Sequence, residues 1–377
     1  MKQTSRIIST YAADISGVPS ALFELGGMTV MHDASGCNST YNTHDEPRWY
    51  DHDSMVFLSG MTEMDAIMGG DDKLIHDVCA AANELHPRFI AIAGTPIPMM
   101  IGTDFDAVAR VIEERTGIPC LGLKTNSMHS YLSGAGMAFT AYAKRFVDRT
   151  LSRQAGSGRV NVLGLTPLDF SVNGSNESIR QLLQRGGLTP LSSWAMGSSP
   201  DELARSGLAD VNLVVSYAGL SAAKYLKRTF GAPYVVGVPI GKEFSGVLIN
   251  ALHKASKTGE CSAPCALRRA DGAAPQISIV GESVYSGSLA AAIEAQTGLS
   301  CRVICPLETE KALMGFGDCL ASDEDELIPL LYSGIVVADP LYKPICGGLT
   351  RFYELPSEAF SGRIYRKSIP NLIGKRL

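Results

Sequence analysis

Phe89-Ile-Ala-Ile-Ala-Gly94, then Phe105-Asp-Ala-Val-Ala-Arg-Val-Ile-Glu-Glu-Arg115-Thr-Gly117, then Cys120-Leu-Gly-Leu123 read together as a strand, a helix and a second strand. The two apolar runs are strand-length, and the segment between them is long enough for a helix that returns the chain to the same edge, which is the βαβ unit of a parallel sheet. Gly117 sits where a helix closes in the left-handed conformation. The same punctuation returns at Lys227-Arg-Thr-Phe-Gly231-Ala-Pro and at Glu294-Ala-Gln-Thr-Gly298-Leu-Ser, so the unit is repeated along the chain.

Working outward, twelve such runs form three quartets. The first is Met28 to Met31, Met55 to Leu58, Phe89 to Ala93 and Cys120 to Leu123. The second is Val160 to Leu165, Thr189 to Ser192, Val211 to Tyr217 and Tyr234 to Val238, and the third is Ile277 to Val280, Arg302 to Cys305, Ile335 to Ala338 and Phe352 to Leu355. Ser199-Pro-Asp-Glu202 is a capping box that starts a helix. Polar, glycine-bearing joints at 152–158 and 257–275 divide the chain into 1–155, 156–270 and 271–377. The expected fold is α/β, with three Rossmann-like domains that each carry a mainly parallel four-stranded sheet.

The chain has 377 residues, 45% hydrophobic and 19% charged, enough to bury several cores and unlike a disordered chain. Lys and Arg number 33 against 38 Asp and Glu, a balance of −5 with no basic run, which excludes nucleic acid and anionic membranes as evident partners. The longest apolar stretch, Phe89 to Gly102, contains two prolines and is shorter than a membrane helix. Asp14 interrupts the apolar patch of the first residues, so they do not read as a secretory signal, and the cytoplasm is the expected compartment.

In open α/β sheets ligands bind beyond the carboxyl ends of the strands. The loops there are small and polar: His32-Asp-Ala-Ser-Gly-Cys37, Ser59-Gly-Met-Thr-Glu63, Gly94-Thr-Pro-Ile-Pro98 and Lys124-Thr-Asn126. His32, His44 and His52 lie among four aspartates between residues 32 and 53, a density that suits either a metal or a solvated loop with hydrogen-bonded histidines. Cys37 follows Gly36 at a strand end, where backbone amides can approach and stabilise a thiolate. Of the nine cysteines, Cys79 falls on the apolar stripe of its helix, and Cys301 and Cys305 bracket one strand. Cys261 and Cys265, spaced to meet on one helical turn, are a candidate second metal or redox pair. Phosphate-loop, dinucleotide-binding and serine-hydrolase motifs are missing from the sequence.

His32-Asp-Ala-Ser-Gly-Cys37, Ser59-Gly-Met-Thr-Glu-Met-Asp-Ala-Ile-Met-Gly-Gly70 and Pro96-Ile-Pro-Met-Met-Ile-Gly-Thr-Asp104 resemble component 1 of nitrogenase and its relatives. Further likeness lies at Val214-Val-Ser216-Tyr217 and from Phe352-Tyr-Glu-Leu-Pro356 to Phe360-Ser-Gly362. Those relatives include the nitrogenase α and β subunits, cofactor-assembly scaffolds, the dark-operative protochlorophyllide and chlorophyllide reductases and the nickel-sirohydrochlorin reductive cyclase. The resemblance implies three Rossmann-like domains and pairing of two chains through the first, as a homodimer or a heterodimer with a paralogue. It also implies an ATP-dependent iron–sulfur reductase as partner and an iron–sulfur cluster, of [4Fe–4S] type, at the dimer interface.

Cys37 matches the first of three cluster cysteines; the others would fall near Val56 and Pro96, where the sequence has none. Ser35, Gly36, Gly60, Thr62 and Thr95 would border the cluster, with Asp33, His32 and His44 as additional candidate ligands. The cysteine that anchors the nitrogenase cofactor would fall at Ser216, so no FeMo-type cofactor and no dinitrogen reduction are expected. The chain resembles instead the shorter, tetrapyrrole-reducing members, with a pocket between domains near Thr166, Ser216, Tyr217, Glu282, Tyr285, Asp339 and Tyr342. The alternative is a non-redox cytosolic binding or scaffold protein for a tetrapyrrole, metal chelate or iron–sulfur precursor.

Overall fold

The structure is a computed structural model that describes residues 5–7, 12–34, 46–267 and 274–377. Three all-parallel sheets follow one another along the chain. The first has β1 (Met28–His32), β2 (Met55–Leu58), β3 (Ile90–Gly94) and β4 (Cys120–Leu123) in the order β2-β1-β3-β4. Its helices are α1 (Asp14–Leu22), α2 (Glu63–Met68), α3 (Asp71–Leu85), α4 (Pro96–Ile101), α5 (Phe105–Thr116) and α6 (Tyr131–Phe146).

The second sheet repeats that order with β5 (Arg159–Leu163), β6 (Thr189–Ser193), β7 (Val211–Val214) and β8 (Tyr234–Val236), arranged β6-β5-β7-β8. It carries α7 (Pro167–Phe170), α8 (Ser175–Arg185), α9 (Pro200–Ala204), α10 (Leu220–Phe230) and α11 (Lys242–Thr258). The third contains β9 (Ile277–Val280), β10 (Cys301–Cys305), β11 (Cys319–Leu320), β12 (Ser333–Ala338) and β13 (Leu349–Glu354), with α12 (Ser283–Thr297), α13 (Glu324–Leu330) and α14 (Glu358–Ser361).

The third sheet therefore has five strands, β11-β10-β9-β12-β13, rather than the expected four. The addition is two residues of edge strand, too short to give a periodic signal. All twelve expected strands are present, and Gly117, Gly231 and Gly298 close α5, α10 and α12 with φ of 72°, 76° and 75°. The joint expected near Gly156 lies between the first two sheets, whereas Ala270 lies outside the described residues. Among the described residues no helix is long and apolar enough to cross a membrane.

Two cores hold the structure. One lies under α3 and α5, where Val30, Leu74, Val78, Ile92, Phe105 and Ile112 pack together. The other runs continuously from α1 and α6 through the second and third sheets. α1 and α6 approach backbone to backbone, because Gly17 faces the Tyr131 carbonyl and Gly134 faces the Asp14 carbonyl. This contact fixes the start of α6, and with it the side chain of Tyr131.

Candidate functional site

In each sheet the first strand (β1, β5 or β9) lies between strands reached in opposite directions: β1 between β2 and β3, β5 between β6 and β7, β9 between β10 and β12. The crevice at their carboxyl ends is the ligand-binding position of this architecture. In the first sheet the residues there are His32, Asp33 and Thr95. Thr95 Oγ1 lies 3.1 Å from the His32 carbonyl and 3.0 Å from Asp33 Oδ1, and Ser59 Oγ lies 2.8 Å from His32 Nδ1. His32 is buried, burial holds its imidazole below the usual range, and its Nε2 has no hydrogen-bond partner among the described residues. Thr62 caps α2 through a capping box with Asp65, and Gly60 turns with φ 62°.

Ser35, Gly36, Cys37 and His44 lie outside the described residues. Among the described residues no group of three His, Cys, Asp or Glu side chains could hold a metal ion. A buried imidazole nitrogen without a partner is a suitable donor, yet Asp33 is already engaged by Thr95. The described donors alone, without Cys37 and His44, do not make up a cluster's ligand set. Cys261 and Cys265 do not meet: Cys265 is fully buried, while Cys261 Sγ accepts from Lys227 Nζ at 3.1 Å and from the Tyr234 amide at 3.3 Å. The segment turns as a short 3-10 helix from Pro264, so the spacing of an α-helical turn does not apply.

The corresponding crevices of the second and third sheets face each other and share a buried acid pair. Thr166 follows β5, Ser216 follows β7 and Glu282 follows β9. Around them stand Asp169, from the first turn after β5, and Tyr131, from α6. Asp169 Oδ1 accepts from the Tyr131 hydroxyl, its Oδ2 from Thr166 Oγ1 at 3.2 Å, and Ser216 also bonds to it. Glu282 Oε1 accepts from the Tyr217 amide at 3.0 Å and from Ser283 Oγ at 3.2 Å; its Oε2 accepts from the Tyr285 amide at 2.7 Å, which caps α12.

Burial pushes the Asp169 carboxyl up to about 6 and that of Glu282 up to about 7, the negative charge of Asp169 adding to the latter. The two titrate as one unit, and together they retain protons into the neutral range. Burial also raises the Tyr131 and Tyr285 hydroxyls.

Thr166, Ser216, Tyr217, Glu282 and Tyr285 thus converge. Asp339 and Tyr342 stand behind them. Asp339 accepts from the amides of Leu341 (2.9 Å) and Ser357 (2.8 Å) and from Ser361 Oγ (2.8 Å), while Tyr342 is wholly buried with its ring 5.8 Å from that of Phe360. The cavity beside the acid pair, between Asp169, Glu282, Tyr285, Ser357 and Phe360, measures only about 40 Å³. It has room for a water molecule but not for a macrocycle.

A larger, separate cleft of about 710 Å³ is lined by Tyr217 on one side and by α6 on the other. Asp169 and Tyr131 were missing from the sequence-based site. Thr166-Pro-Leu-Asp169 has the sequence form of a capping box, which hides the acid among structural residues, although Thr166 makes no side-chain cap bond in the structure. A tyrosine at the start of an apolar helix reads as core.

Three parallel sheets, with polar side chains gathered beyond the ends of their central strands and a proton-holding acid pair between the second and third, make up an α/β protein. The chain belongs to the nitrogenase component 1 type oxidoreductase family, whose model matches residues 25–292. It is 29% identical over 181 residues to the nitrogenase iron-molybdenum cofactor biosynthesis protein NifE of Clostridium pasteurianum, covering 48% of this chain and 38% of that protein. It is 33% identical over 133 residues to a light-independent protochlorophyllide reductase polypeptide of a Methylobacterium species, covering 35% and 26%. The chain thus spans well under half the length of these curated relatives. A solved structure, nitrogenase Cp1 at pH 6.5, superposes with a TM-score of 0.71 at 17% identity over 99% of this chain and 92% of that one, a likeness of fold.

Proposed function

We propose that the chain is the substrate-carrying, electron-accepting component of a reductase system that acts on a tetrapyrrole-like or other small molecule, and not on dinitrogen. The observation that carries this reading is the buried, proton-holding pair Asp169 and Glu282, which the Tyr217 amide links to a cleft of about 710 Å³ lined by the same tyrosine: reduction of a conjugated small molecule consumes protons as well as electrons, and this volume is in the range of small-molecule sites. The similarity to a light-independent protochlorophyllide reductase polypeptide supports the substrate class. Electrons would enter through an iron–sulfur cluster, of [4Fe–4S] type, shared between two chains, with a Cys37 thiolate from each and the remaining iron sites completed by groups such as Asp33, His32 or His44. An ATP-dependent iron–sulfur reductase would be the donor, and the cytoplasm the setting.

Pairing through the first sheet is supported by an exposed apolar face at its strand ends. α2 and α4 lie against each other and present Met64, Ile67, Met68 and Met100, exposed by 65%, 77%, 75% and 80%. Side chains this apolar gather on a surface that another surface covers. Whether the second chain is identical or a paralogue leaves the geometry unchanged. At micromolar concentration light scattering should give the mass of two chains, and the double substitution Met68→Glu with Met100→Glu should give one. A wild-type monomer would contradict the shared-cluster reading.

The second reading, a non-redox scaffold for a tetrapyrrole, metal chelate or iron–sulfur precursor, is favoured by the similarity to a cofactor biosynthesis protein and by the lack of cysteine at Val56 and Pro96. Protein purified anaerobically separates the two. A brown, reducible chromophore belongs to the electron-accepting component, and a colourless, iron-free protein after reconstitution belongs to the scaffold.

A further inference from the structure

Cys261 belongs to none of the sites described above. It precedes Ser262, whose amide donates to the Tyr234 carbonyl at 3.1 Å and whose carbonyl accepts from the Val236 amide at 2.9 Å. The segment after α11 is thereby held to β8, with Cys261 at the amino end of the strand and away from the crevice. Lys227 stands in the last turn of α10, between residues whose neighbours Tyr225 and Leu226 are buried. Both backbones are therefore fixed, and only the lysine side chain is free to adjust.

The sulfur of Cys261 faces two donors. Lys227 Nζ lies 3.1 Å from Sγ and the Tyr234 amide lies 3.3 Å from it. The ammonium also stands 5.8 Å from the centroid of the Tyr234 ring, and the sulfur beside it raises Lys227 above its usual range. Both neighbours can hold the negative charge of a thiolate, the form that attacks peroxides. Cys301, Cys305 and Cys346 instead turn to backbone carbonyls, at 3.7, 3.4 and 3.4 Å, and burial pushes the thiols of Cys120 and Cys305 up to about 12. Cys261 is only half-buried and Lys227 is exposed, so a small oxidant reaches both. A separation of 3.1 Å is too long for an S–N bond and slightly longer than two bonds through one oxygen.

We infer that Cys261 and Lys227 are a peroxide-driven modification site that closes into an Sγ–O–Nζ bridge, tying α10 to the segment after α11. In the first step sulfur attacks one peroxide oxygen, the O–O bond breaks, and sulfenic acid and water result. In the second the sulfenic oxygen joins Nζ while another peroxide takes up the electron pair; the protons of the acid and the amine leave in two waters. One thiol, one amine and two molecules of hydrogen peroxide thus give the bridge and three waters.

The test treats the full chain with hydrogen peroxide, alkylates it and maps the peptides by mass. Wild type should yield a linked species joining the peptides of Lys227 and Cys261, heavier than their sum by one oxygen less two hydrogens. Excess dithiothreitol should return the two peptides. Lys227→Arg keeps the charge but has no amine to react, and like Cys261→Ser it should give no link. Treated wild type should melt several degrees above treated Lys227→Arg, because the bridge joins residues 34 apart in sequence, and reduction should abolish the difference. The peptide that holds Cys37 is a different one, so its oxidation does not enter the result. Unlinked peptides from treated wild type, whether Cys261 is then free or a sulfinic acid, a link that lacks the oxygen, or an equal yield of link in Lys227→Arg would each overturn the inference.

Discussion

Gly134→Ala should destabilise the protein by about 4 kcal/mol, at the extreme of what one methyl group does. A Cβ at Gly134 would lie 1.8 Å from the Asp14 carbonyl oxygen, and one at Gly17 would lie 2.1 Å from the Tyr131 carbonyl oxygen. Both obstacles are backbone atoms, so no side chain can rotate aside and α1 must separate from α6. The same substitution at Gly246, in the exposed middle of α11 with nothing within 4 Å of the new atom, should instead stabilise by about 0.5 to 1 kcal/mol through helix propensity. Denaturant unfolding of the two variants tests the pair of signs. A Gly134→Ala protein as stable as wild type would mean that α1 and α6 do not meet as described.

Asp169→Asn should stabilise the protein at pH 8 by about 2 kcal/mol and change little at pH 4. Burial raises the carboxyls of Asp169 and Glu282 in the folded state, so folding takes up protons between about pH 4 and about pH 7. The favourable contribution of the protonated pair is complete below the unfolded values near 4 and is lost as the pH rises through 6 and 7. Asparagine removes one charge, and the hydroxyls of Tyr131, Thr166 and Ser216 can turn to suit it. The same change at Glu282 would set an amide against the backbone N–H of Tyr217 or of Tyr285, so it is the poorer probe. The measured quantity is the difference between variant and wild type at each pH, which cancels the other titrating groups. A variant less stable than wild type at pH 8 would mean that the pair is ionised without cost.

Much of the fold is legible in the sequence because it is written locally. Short apolar strands and helices that end on Gly117, Gly231 or Gly298 each declare themselves within a few residues. β11 does not, since Cys319 and Leu320 are a strand only by pairing with Ile304 and Cys305. The site is legible in part for the same reason. Thr166, Ser216 and Glu282 follow strands and can be picked out by position, whereas Tyr131 meets Asp169 across 38 residues and no local pattern announces that bond. The cleft is further from the sequence still, because it is made by the distance between α6 and α10 and not by any motif. Cys261 and Cys265 show the converse: a spacing that suggests a pair dissolves when one thiol turns inward and the other toward Lys227.

Iron and acid-labile sulfide per pair of chains, measured anaerobically after reconstitution, decide whether two chains hold one redox cluster through Cys37. The proposal predicts about four of each in wild type and in Cys261→Ala, as one [4Fe–4S] centre requires, and near loss of both in Cys37→Ala. Two thiolates hold a cluster less firmly than four, so exposure to air should empty the wild type as well. Equal iron and sulfide in wild type and Cys37→Ala would mean that Cys37 holds no cluster.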